Sequence, residues 1–146
     1  MSSFHFRLEK VLAWRRTQLE LEDVKLKRQI AAVAELDRVR AELEATAIRS
    51  EVEVRNWSPL AGQDLAALAS YHVHVQNREK DIATRRREAL QQLEARQQAV
   101  LEARRRCRLL ERLEQRRLAE WQAAADRELE QLAAESYLSG LVRRRS

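Results

Sequence analysis

Few side chains in this chain have types and spacings that could do chemistry. The 146 residues hold three histidines and a single cysteine. His72 and His74 are two apart, so on a helix they diverge and cannot grip one metal ion. His5 and Cys107 lie far from them in sequence. A chain with two glycines offers no glycine-rich loop to cradle a phosphate. Acids and bases are plentiful, but a helix surface in water does not shift their proton affinities by burial. The expectation is a protein that is not an enzyme, with no catalytic residue, no metal and no cofactor.

Arginine runs are the next chemical signal. Arg85, Arg86 and Arg87 form one, and Arg104, Arg105, Arg106 and Arg108 another. Successive helical residues fan out over roughly 200–300° of arc, so neither run makes one flat basic face. Glu88, Glu102 and Glu111 stand close enough for local pairing. The runs therefore suit a solvated coil surface or an acidic protein partner, and no nucleic acid is expected. Charge also shifts along the chain. Residues 85–117 carry 11 basic and 5 acidic groups, residues 118–137 carry 1 and 5, and Arg143, Arg144 and Arg145 close the sequence. Such asymmetry belongs to a chain that meets a partner by charge.

The elements that position these groups are helices. Charged residues make up 35% and aromatic residues 5%, a composition typical of coiled coils. Leu12, Leu19, Leu26, Val33, Ala47 and Val54 fall on one seven-residue lattice, with Arg40 its polar member. The companion position carries Leu36, Leu43 and Trp57, but also Arg15, Glu22, Gln29 and Ser50. Alternating steps of three and four set both series on one stripe, the condition for a coiled coil. Downstream, Leu68, Val75, Ile82 and Ala89 recur at sevens. The stripe then moves to Leu93, Val100 and Cys107, a stutter, before Leu110, Leu113, Leu118 and Trp121.

One break separates the two series. Trp57-Ser58-Pro59-Leu60-Ala61-Gly62 holds the sole proline and one of the two glycines. Proline disfavours helix at the residue before it, and glycine permits a reversal. The fold expected is all-α: two long helices forming an antiparallel coiled-coil hairpin in a single domain, the second helix longer. The first helix should span about 4–57 with Ser2 or Ser3 as cap, the turn 58–62, the second helix about 63–137, and a basic tail 138–146. Trp57 should pack at the tip, and Gly140 should mark the second helix's end.

A turn centred near residue 61 pairs position i with position 122 − i. Leu12 then faces the Leu110 region and Leu43 the Glu79 region. Residues beyond about Trp121 have no partner within the chain, an overhang of roughly 20 Å. Leu118, Trp121, Ala125, Leu129 and Leu132 keep an apolar stripe there. Two readings follow: Phe4 and Phe6 fold over the stripe or the end frays, or the stripe is kept for another protein. Tryptophan beside Arg15, Arg16, Arg116 and Arg117 is the composition of a binding hot spot. No run approaches the roughly 18 apolar residues of a membrane span. A start rich in charge has no apolar signal core, and one cysteine fits the cytoplasm.

The segment Phe4-His5-Phe6-Arg7-Leu8 through Val11-Leu12-Ala13-Trp14-Arg15-Arg16 resembles the opening of the flagellar export protein FliJ family. Leu65, Leu68, Tyr71, Val75 and Ile82 are similar to that family's second helix. So is Leu110-Glu111-Arg112-Leu113 through Arg116-Arg117 to Trp121, followed by Arg127, Glu128 and Leu132. The likeness covers about residues 4–135. The arginine-ended tail and Ala133-Ala134 depart from the family pattern, which has acids there.

The resemblance implies a non-catalytic, stalk-like part of the flagellar type III protein export apparatus. It implies the export ATPase FliI, the export gate FlhA and export chaperones as partners. It also implies a cytoplasmic protein held peripherally at the cell membrane through those partners. The ATPase ring would engage Phe4, Phe6, Arg15, Arg16, Arg116, Arg117, Leu118, Trp121, Leu129 and Leu132. The gate would meet Arg40, Arg85 and Arg86. A stalk of a virulence-type III secretion system and a general coiled-coil scaffold are the alternatives.

Overall fold

The computed structural model describes residues 3–56 and 61–145. Among them the chain is all-helical: α1 spans Glu9–Arg55 and the longer α2 spans Gly62–Arg145, and the two pack against each other. The expected places of Trp57 at a tip and of Ser58, Pro59 and Leu60 in a turn lie outside the described residues. The packing resolves into two compact units. One is built from Leu21–Leu101; the other joins the N-terminal residues through Glu20 to Glu102 and onward.

Three helix ends differ from the sequence expectation, each for a physical reason. The first helix starts at Glu9, not near Phe4, and Ser3–Phe6 is non-helical. Burial explains this: Phe6 is only 6% exposed and Phe4 sits against Trp121. Apolar burial of two aromatic rings outweighs one further helical turn. Gly62 belongs to α2, not to a turn, with an ordinary helical backbone. Asp64 begins the helix by accepting a hydrogen bond from the Ala61 amide at 3.2 Å, while the Leu65 amide donates back to the Ala61 carbonyl. This is half of a capping box. Finally, α2 continues past residue 137 to Arg145, so the expected tail is helical. Gly140 costs such a helix only about 1 kcal/mol, and Arg143, Arg144 and Arg145 complement the negative end of its dipole.

In the Leu21–Leu101 unit the seam follows the seven-residue lattice. Val75, Ile82 and Val100 are buried, and Leu26, Val33, Leu36, Leu43, Ala47 and Val54 are half-buried. Val39 turns inward where the lattice has Arg40; Arg40 faces water and pairs with Glu44 at 3.2 Å. On α2 the inward positions pass from Ile82 to Arg86, Ala89, Leu93 and Val100, in the regular steps of four and three of one continuous repeat, so the stutter expected between Ala89 and Leu93 is absent there. Polar contacts also tie the helices together. Gln29 donates to the Ala89 carbonyl at 2.8 Å, and Arg86 donates to Asp37 at 2.8 Å. Both agree with the antiparallel 122 − i register to within about one helical turn. On the outer face Arg38 donates to Glu35 and Glu42. The Glu35 bond holds that carboxyl below its ordinary range, although pairs this exposed contribute little to stability.

The terminal unit has Phe6, Leu12 and Cys107 as its buried apolar residues. Arg16 reaches Glu111 at 3.5 Å across the seam. Burial pushes the Cys107 thiol up, reinforced by Glu111, while Arg16 and Arg15 act the other way. A raised thiol value means the folded state holds its proton more tightly than the unfolded state does. That contribution is complete below the ordinary thiol value of about 8.5 and is lost as pH rises through the folded value. The melting temperature should therefore fall above about pH 8.5, and Cys107→Ala should remove that part of the slope. Thermal melts followed by circular dichroism from pH 7 to 10, in wild type and variant, would show parallel curves if the thiol were irrelevant.

Candidate functional site

The open end of the terminal unit gathers the residues of greatest interest. The arm Ser3–Leu8 lies along the face of α2 that carries Leu113, Arg117 and Trp121. These three are spaced by four, so one helix face presents them together. Phe4 meets Trp121 with ring centroids 6.1 Å apart and planes tilted by 55°, a favourable aromatic geometry. Arm and helix do not close completely. A cavity of about 830 Å³ remains, lined by Phe4, Phe6, Leu113, Arg117, Glu120 and Trp121 among others. Ligand-sized cavities run from about 300 to 1,000 Å³.

The structure brings Phe4, Phe6, Arg117 and Trp121 to that cavity. Arg117 also pairs with Glu120 at 3.7 Å. Leu118 is half-buried and Arg116 is exposed. Arg15 and Arg16 sit apart from the cavity. Arg15 is half-buried, its guanidinium 4.7 Å from the Trp14 ring centroid, and Arg16 pairs with Glu111 in an exposed contact. Leu129 and Leu132 lie further along α2, at 52% and 59% exposure. The reading in which the arm folds over the stripe holds at Trp121, and beyond it Leu129 and Leu132 face water.

The mid-chain arginines do not converge. Arg40 pairs with Glu44, Arg85 with Asp81 at 3.4 Å, and Arg86 crosses to Asp37. Arg86 is thereby a link between the helices, while Arg40 and Arg85 keep exposed heads. His72 and His74 are exposed, and among the described residues no cluster of three or more His, Cys, Asp or Glu could hold a metal ion. No helix among those residues is long and apolar enough to cross a membrane.

Sequence reasoning missed Arg7, Leu113 and Glu120 as cavity-lining residues. The signal was present in the spacing of 113, 117 and 121, but it reads as seam until the arm is known to leave the helix. It also missed Tyr137, Leu138 and Val142, all exposed on the terminal turns of α2. The chain matches no family model, no curated protein and no solved structure.

Proposed function

We propose that the chain is a non-catalytic, stalk-like component of a flagellar type III protein export apparatus, engaging the export ATPase FliI through its open end. The observation that supports this most is the extension of α2 past the residues that α1 and the arm cover. There Leu129 and Leu132 stand more than half exposed on α2, about three turns beyond Arg116 and Arg117 and among the acids Asp126, Glu128 and Glu130. The exposed leucines would anchor in a partner's apolar socket, while Arg116 and Arg117, nearer the arm, would steer toward acidic groups at its rim. The exposed Arg40 and Arg85 are the groups offered to the export gate FlhA. Handling of export chaperones and residence at the inner face of the cell membrane follow from those partners.

Co-purification with the export ATPase tests the reading. Arg116→Glu combined with Leu129→Ala should weaken that association at least about tenfold, the effect of losing one hot-spot contact and one steering charge. It should also slow ATPase ring assembly. Binding that is unchanged in this double variant, in buffer of moderate salt, would remove the open end from the interface.

A further inference from the structure

We infer that the cavity between the Ser3–Leu8 arm and the Leu113–Trp121 face of α2 is a receptor for an acidic peptide segment. One bulky apolar side chain enters the cavity, and a neighbouring carboxylate meets Arg7 and Arg117. The inference deepens the reading of the open end as a partner site, and rests on it only for which protein carries the peptide.

Three observations favour this occupant. The lining has an apolar part made by Phe4, Phe6, Leu113 and Trp121, which excludes a purely polar ligand. Its charged lining is predominantly basic. Arg7 forms no ion pair with a described residue, and Arg117 holds Glu120 only at 3.7 Å with both side chains about 60% exposed. A pair that open is worth little, so the Arg117 guanidinium can turn to an incoming carboxylate at small cost. Glu120 then supplies the third condition. Its carboxylate can accept a peptide N–H, a donor that a chain of phosphates does not offer. Together these features select an acidic peptide with an apolar anchor over a nucleic acid or an anionic lipid surface.

The test titrates the intact, nitrogen-15-labelled chain with the blocked peptide acetyl-Asp-Glu-Phe-Glu-Asp-amide and follows backbone amide shifts. Shifts should be confined to the arm and to residues 113–121 and should saturate at millimolar peptide. The same peptide with serine in place of phenylalanine should shift them little. Arg117→Glu should weaken binding by about fivefold or more, and Arg7→Glu should do likewise, both with unchanged melting temperature. Leu113→Trp, which fills the cavity, should abolish it. The inference is overturned if residues 113–121 do not respond, or if the serine peptide binds as well. It is equally overturned if an oligothymidylate or phosphatidylglycerol vesicles perturb these residues more strongly than the peptide. Peptide binding with no affinity for the export ATPase would remove the stalk reading and leave the cavity assignment standing; the reverse result would remove the cavity alone.

Discussion

Ile82→Asp should unfold most of the helical hairpin at 37 °C. Ile82 is 2% exposed, inside a seam whose other buried apolar members among the described residues of the same unit are Val75 and Val100. Losing its side chain alone would cost about 2–5 kcal/mol, as for other buried large-to-small changes. A carboxylate placed there adds an unpaired buried charge, which raises the cost further or forces protonation. Set against a total stability of about 5–15 kcal/mol for a natural domain, the change removes most of the margin. A coil this narrow has no second apolar layer to take over. Circular dichroism at 222 nm, with a urea titration, reads the result. A melting temperature within a few degrees of wild type would show that the α1–α2 seam does not hold the fold together.

The second large effect runs the other way. Glu22 occupies a companion seam position, where its Oε1 takes a 3.4 Å contact from Lys25 and its Oε2 is buried with no hydrogen-bond partner among the described residues. Leaving a buried polar group unsatisfied costs about 1–3 kcal/mol. Glu22→Leu removes that cost and adds apolar area at a place the coil geometry wants apolar, so the protein should gain about 2 kcal/mol. The expected sign is a higher urea midpoint at unchanged slope. A lower midpoint would mean that the Glu22 carboxylate is satisfied in solution and that the position is packed for a polar residue.

These two positions also mark what the sequence made legible. The seven-residue lattice placed Leu12, Val75, Ile82, Val100 and Cys107 on the seam, and all five are buried. The polar companions Arg15, Glu22, Gln29 and Ser50 fall there too, each half-buried. Periodicity carries that information because a two-helix contact has only one way to face inward. The helix ends were not legible in the same way. Phe4 and Phe6 leave the helix because α2 offers them a surface, which the sequence presented as one of two readings of the apolar stripe and could not choose. The cavity depends on that departure, so it could not be read before the fold. Gly140, conversely, looked like a terminator but is carried through by the arginines that follow it.

The bond from Gln29 to Ala89 joins residues 60 apart, and that from Arg86 to Asp37 joins residues 49 apart. Contacts such as Phe4 with Trp121 span most of the chain. In an antiparallel hairpin the loop to be closed therefore lengthens steadily toward the termini. Entropy assigns an order of events: pairs near the turn can form first, and each doubling of loop length adds only about 0.6 kcal/mol to closure. The aromatic clasp of the N-terminal arm closes last. By the same logic it is the first contact to open under thermal fluctuation, with low-free-energy hydrogen exchange as its signature. A partner arriving at that clasp would meet the part of the molecule that is most often already ajar.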